Sequence, residues 1–294
     1  MSQRRPLREV ISEYGLAARK SLGQHFLLDP NLLARIARAA GPLAGRNVIE
    51  IGPGPGGLTR ALLDAGAASV TAVERDSRCV AALAELVAES AGRLRVIEAD
   101  ALVLDAASLV PPPRAIVANL PYNIATPLLV GWLRSLAAFE SLTLMFQHEV
   151  AERIVAVPGS AAYGRLSVLA QWTAEAAIVL RLPARAFTPA PKVASAVVRL
   201  VPRRDQPGAD LFAAMERLTA AAFGQRRKML RAALKPLGEV EALLGEAGID
   251  SDRRAEALSV AEFDRLARLM HARLPPLGPR RPGSKPLPQR QVRA

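Results

Sequence analysis

Residues 46–76, RNVIEIGPGPGGLTRALLDAGAASVTAVERD, decide the fold. Arg46 to Ile51 reads as a short buried strand, a glycine-rich turn follows, and Leu58 to Ala65 has helical spacing. Ser69 to Glu74 is a second strand. Gly52, Gly54 and Gly57 fill the pattern G-x-G-x-x-G between strand and helix. Glycines at such a turn let the backbone reverse tightly and come close to a ligand at the carboxyl edge of a sheet. Glu74 ends the second strand 22 residues beyond Gly52, where an acid can hold both hydroxyls of a ribose. Together these features predict a site for a nucleotide-like ligand.

Outward from this stretch, apolar runs keep alternating with helical ones. Asp29-Pro30 reads as a helix start, with Asp as cap and Pro at the first position, and the helix runs from Asn31 to about Ala40. A helix is expected at Arg78–Ser90, strands at Leu94–Ile97 and Ala115–Ala118, a helix at Pro127–Leu136 and a strand at Leu142–Gln147. This alternation predicts an α/β fold with a doubly wound, mostly parallel sheet. Thr173–Leu182 and Ala194–Val201 follow as strand upon strand, so the last edge should be antiparallel.

The composition then shifts. Residues 202–209 read as a linker after a catalytic domain at 21–201, and 210–274 as a small all-α domain. Residues 1–20 carry five basic side chains and two acidic ones, which suggests a flexible basic arm. Residues 275–294 hold six prolines and five basic residues without an acid, the composition of a disordered tail.

With 294 residues, half of them hydrophobic, the chain has ample material for a core of about two domains. The net charge of +12 suggests a polyanionic partner. Only 5 of the 39 basic residues are Lys, and the Arg fork suits phosphate oxygens. A single cysteine, Cys79, excludes an internal disulfide framework and a cysteine-rich zinc site, and His25, His148 and His271 form no local metal motif. No metal is expected. There is no apolar run long enough to span a membrane and no signal peptide, so a cytoplasmic protein is expected.

A nicotinamide cofactor and S-adenosylmethionine both present an adenosine ribose to such a turn and acid. Asp100, after the third strand, can accept the adenine amino group of either. Asn119-Leu120-Pro121-Tyr122, directly after the fourth strand, favours the methyl donor. An exocyclic amine is a poor nucleophile because its lone pair is delocalised into the ring. Accepting its two N–H groups on the Asn119 side-chain oxygen and the Leu120 carbonyl concentrates that lone pair. Pro121 fixes the turn, and Tyr122 offers a flat face to the base.

The chain resembles the ribosomal RNA adenine N6,N6-dimethyltransferase family, and within it the bacterial small-subunit branch. The resemblance is carried by SLGQHFLLD (21–29), IGPGPGGLT (51–59), VERD (73–76), EADAL (98–102), ANLPYNIATPLL (118–129), FTPAPKVASAVVRL (187–200) and FGQRRKMLRAAL (223–234). It covers about residues 15–270. It implies a Rossmann-like S-adenosylmethionine-dependent methyltransferase sheet with a small all-α C-terminal domain, acting as a monomer on the small ribosomal subunit. The substrates it implies are two adjacent adenosines in an rRNA hairpin loop. By resemblance His25 and Leu27 belong to a segment closing over the donor, and Gly52 lies at its methionine end. Likewise Glu74 takes the ribose, Asp100 the adenine, and Asn119 is shared between donor and target amine, while Phe187 stacks opposite Tyr122. Ala118 stands where Gly is common, Pro55 lies inside the turn, and the basic tail is an extension.

Arg226, Arg227, Lys228, Arg231 and Lys235 lie in the helical part with no acid between them. On one helix, positions 227, 231 and 235 share a face, and in this company that face is expected to meet RNA phosphates. Two rival readings stay open. One is the related large-subunit rRNA enzyme that confers antibiotic resistance, which typically has Ile after the Asn and lacks the TPLL continuation. The other is a non-catalytic assembly or transcription factor on the same fold.

Overall fold

The computed structural model describes residues 5–18 and 24–273. The chain begins with α1 (Leu7–Glu13), β1 (Phe26–Leu27) and α2 (Pro30–Ala39). The wound region follows as β2 (Asn47–Ile51), α3 (Gly57–Asp64), β3 (Ser69–Glu74), α4 (Ser77–Ala82), α5 (Ala84–Glu89) and β4 (Leu94–Glu98). It continues through β5 (Arg114–Asn119), α6 (Tyr122–Leu133), β6 (Ser141–Gln147), α7 (His148–Val155) and α8 (Arg165–Thr173). Then come β7 (Ala174–Leu182), β8 (Phe187–Thr188) and β9 (Ser195–Pro202), and finally α9 (Ala209–Gly224), α10 (Leu230–Ala233), α11 (Val240–Glu246) and α12 (Val260–Arg273).

Seven strands form one sheet in the order β4-β3-β2-β5-β6-β9-β7. The pairs from β4 through to β6 are parallel, and β9 runs antiparallel to both β6 and β7. The reversal between β2–β3 and β2–β5 opens a crevice at the carboxyl ends of the strands, the place where open α/β sheets bind ligands. The antiparallel edge predicted from the strand-upon-strand pattern is present.

Alternation along each strand divides the core in two. Val48, Val117, Met145 and Val197 point to one face and pack with Leu33, Ile36, Leu58 and Leu62 of α2 and α3. Ile49, Ile116, Leu144 and Val198 point to the other and pack with Leu128, Leu129 and Trp132 of α6. That second cluster runs without interruption into the helical segment, through Phe212, Met215, Phe263 and Leu266. Trp172 donates its indole N–H to Asp264 at 2.9 Å, and Arg134 makes two hydrogen bonds to Glu216 at 3.1 and 2.9 Å. The helices after residue 209 therefore share a core with the sheet.

One expectation fails at the N-terminus. Residues 7–13 form a helix and not a flexible arm, and Val10 and Leu16 are buried with Cys79 and Ala82. Leu7, Val10, Ile11 and Tyr14 fall at helical spacing, and their burial outweighs the local charge. Residues 1–4 and 19–20 of the expected arm, and the tail at 275–294, lie outside the described residues.

Asp29 caps α2 as its sequence position suggests, accepting from the amides of Asn31 at 2.9 Å and Leu32 at 3.4 Å. The predicted 78–90 helix is broken at Leu83 into α4 and α5.

Candidate active site

The cleft at the crevice is lined by strand ends, the turns that follow them and the segment of β1. His25, Leu27, Gly52, Glu74, Asp100, Asn119, Leu120 and Tyr122 all line it. Gly52, Glu74, Asp100, Asn119, Leu120 and Tyr122 converge because they lie at or just after strands whose ends point to the same edge, and the segment of β1 brings His25 and Leu27 to them. Phe187 alone of the residues expected here is not among them.

The glycine turn forms one wall of the cleft. Gly52 has φ +68° and its amide donates to Val73 O at 2.9 Å, clamping the turn to β3. A Cβ on Gly54, at φ +55°, would come 3.1 Å from the Phe26 ring, so β1 lies directly over the turn. Glu74 is 7% exposed. Its Oε1 accepts from the amides of Arg75 and Asp76 at 2.8 Å each, and Oε2 accepts from Gly54 N at 3.1 Å. A carboxylate has about four acceptor positions, so Oε2 keeps room for a hydroxyl donor. Burial raises the Glu74 pKa, and the backbone donors oppose that shift.

Asp76 caps α4 and is itself held by Arg78, whose guanidinium keeps its carboxyl below the usual range. Gln24 reaches the same carboxylate at 3.3 Å, which ties the segment before β1 to the end of β3. Asp100 accepts from the Leu102 amide at 3.0 Å through Oδ1, and Arg75 approaches Oδ2 at 3.3 Å.

Glu50 lines the cleft and escaped the sequence reading. It is 1% exposed, accepts from Thr59 Oγ1 at 2.6 Å, and burial pushes its pKa to about 8. Its signal was present: an acid inside an otherwise apolar strand, immediately before the glycines, is buried only where polar groups face it.

The opposite wall is assembled from distant segments. Asn119 ends β5 and donates Nδ2 to the His25 carbonyl at 3.3 Å, which leaves Oδ1 as the acceptor end of the amide. The Leu120 side chain is buried, so its contribution to the cleft is its backbone. Tyr122 opens α6, and its hydroxyl meets Ser195 Oγ at 2.6 Å. The His25 ring stacks on Tyr122 with centroids 5.6 Å apart and planes at 29°. His25 Nδ1 lies 2.8 Å from the carbonyl of Pro189.

Phe187 is 3% exposed and packs with Leu182, Val197 and Met145, while its backbone pairs with Leu27 between β8 and β1. Its place in this two-strand ladder accounts for the burial, and the ring stacked on Tyr122 is that of His25.

The basic run also departs from expectation. The helix α9 ends at Gly224, residues 225–228 turn, and α10 starts at Leu230, so 227, 231 and 235 do not share one helix. Arg226 donates to the carbonyls of Ala161 and Tyr163 at 2.5 and 2.9 Å, and Arg231 pairs with Asp252. Arg227, Lys228 and Lys235 are exposed.

Comparison with known proteins agrees with this geometry. The family model for ribosomal RNA adenine dimethylase matches residues 15–271. The chain belongs to that family. Among its relatives, the ribosomal RNA small subunit methyltransferase A of Gluconobacter oxydans is 62% identical over 263 residues, covering 90% of this chain and 86% of the relative. The protein of the same name from Rhodospirillum rubrum is 58% identical and covers 91% and 93%. A dimethyladenosine transferase from Plasmodium falciparum superposes with a TM-score of 0.71 at 28% identity, covering 82% of this chain and 96% of that one. The 23S rRNA methyltransferase ErmE gives 0.63 at 30% identity, over 83% and 99%. This dimethylase therefore has the Rossmann-like fold of S-adenosylmethionine-dependent methyltransferases.

Proposed function

We propose that this dimethylase transfers two methyl groups to N6 of each of two adjacent adenosines in a hairpin loop near the 3′ end of small-subunit rRNA, as a step in subunit maturation. One observation carries the reading. The donor turn and the amine-binding turn touch: a Cβ on Gly52 would lie 3.5 Å from Pro121 and 4.0 Å from the Asn119 carbonyl. A methyl group placed beside Gly52 is thereby within reach of an amine held by Asn119. The names of the relatives, at 58–62% identity, support the small subunit as substrate.

The cleft suits S-adenosylmethionine. The acceptor left on Glu74 Oε2 meets a ribose hydroxyl, Asp100 lies toward the adenine, and His25 and Leu27 close the segment above. When bound, this donor supplies an electrophilic methyl carbon whose bond to sulfur breaks as the new C–N bond forms. Asn119 Oδ1 and the Leu120 carbonyl accept the two N–H groups of the target amine and aim its lone pair, a gain in orientation made before the chemical step. Tyr122 carries the base. Burial raises its phenol pKa, so it stays protonated and acts as a surface and not as a base. The amine gives up its proton only after it has gained the methyl group, so no strong base is needed.

Arg227, Lys228 and Lys235 are the candidates for phosphate contact, whereas Arg226 and Arg231 are engaged within the protein. Among the described residues no helix is long and apolar enough to cross a membrane. We read the enzyme as a cytoplasmic monomer that needs no metal. The test is transfer of labelled methyl to immature small subunits and to large subunits side by side. Dimethylation of two neighbouring adenosines in the small-subunit RNA supports the proposal. Labelling confined to large subunits would move the enzyme to the resistance class.

A further inference from the structure

We infer that Ser195 is a positioning residue for base capture, holding the Tyr122 ring in the orientation on which the target adenine stacks; this rests on the function proposed above. Ser195 is 0% exposed, and its hydroxyl lies 2.6 Å from the Tyr122 hydroxyl. A half-buried tyrosine and a buried serine satisfy each other here, and either can be the donor. The anchor is stiff. Ser195 opens β9 and is paired on both sides, with Gln147 of β6 and with Leu182 of β7. Tyr122, by contrast, stands at the first position of α6 directly after the Pro121 turn, where its backbone alone leaves the ring free to swing.

Fixing the hydroxyl end of that ring therefore selects one orientation. The other constraint on the ring is His25, stacked at 5.6 Å and tethered to Pro189 in the same loop that leads into Ser195. The hydroxyl bond sets where the face points, and the imidazole covers it until a base arrives.

The test uses the full chain, immature small subunits and single-turnover methyl transfer, with Ser195→Ala, Tyr122→Phe and the double variant. Each single change should slow transfer roughly 3- to 10-fold, the worth of one hydrogen bond. The double variant should be no slower than either single one, because both remove the same contact. Donor affinity by calorimetry should stay at the wild-type value, and Ser195→Thr, which keeps the hydroxyl, should regain most of the rate. Wild-type rates in both single variants, or losses that multiply in the double, would overturn the assignment. If those variants are silent while Asn119→Ala abolishes transfer, only this inference falls. If the wild-type enzyme itself methylates no adenine, the proposed function falls first.

Discussion

On the donor side of the cleft, Gly52, Glu74 and Asp100 follow three successive strands, and most polar atoms there are already held by backbone amides. On the base side, Asn119 and Tyr122 depend on His25 and Ser195, and the His25–Pro189 contact joins residues 164 positions apart. The first side is a cup whose floor is made by local chain geometry and whose roof is β1. The second is a meeting of remote segments, each holding another. Local geometry suits a donor that is the same at every turnover, whereas the assembled side can open for a base delivered by a large particle.

Phe187 offers the sharpest way to break this comparison. If it belongs to the core, Phe187→Ala should cost about 3–5 kcal/mol of stability, measured by denaturant unfolding. A stable variant with slow methyl transfer would instead return it to the base side.

Glu50→Gln tests how closed the donor side is. The folded pKa of about 8 lies above the ordinary 4.5, so the protonated acid contributes stability that is complete below 4.5 and lost as pH rises through about 8. The Gln variant should lack that fall, amounting to a few kcal/mol at about 1.4 kcal/mol per pKa unit. Parallel stability curves for the two proteins from acid to alkaline pH would contradict a buried neutral Glu50.

Asn119→Ala should slow methyl transfer by about 10²-fold while particle binding is retained, because orientation of the amine is lost. Filter binding alongside labelled transfer separates the two. Glu74→Ala should weaken donor binding by about 1–3 kcal/mol, and an unchanged calorimetric affinity in a folded variant would remove the ribose role. The smallest effects are expected outside the cleft. Lys228→Ala or Lys235→Ala should each lower the slope of log affinity against log salt by about 1.

The same contrast explains what could be read from sequence. The strands at 47–51, 69–74 and 114–119 carry apolar runs bounded by glycine or polar turns, and their chemistry-bearing residues sit at the ends of those runs. Both the sheet and the residues that line its cleft were therefore legible. The burial of Phe187 was not legible, because its neighbours in sequence, Thr-Pro-Ala-Pro, look like a loop and its partner strand holds Leu27, far away in the chain. The basic run was misread as one helix because charge spacing does not reveal that Met229 bridges to Arg254 or that the chain turns after Gly224. Ser195 lay inside a quoted motif without a role, since nothing local marks a hydroxyl whose partner is 73 residues away.

The pairing of β1 with β8 bears on the order of events during synthesis. A chain that has left the ribosome only as far as β6 already contains the glycine turn, Glu74 and Asn119, but not the strand that pairs with Phe26 and Leu27. Phe26 is the residue lying over Gly54, so the donor pocket gains its roof only after residue 188 has emerged. Closing so long a loop adds little entropic penalty over a shorter one, about 0.6 kcal/mol per doubling of length. The delay is thus one of chain order: a truncated translation product carries Asn119 and the glycine turn without the strand pairing that roofs the cleft.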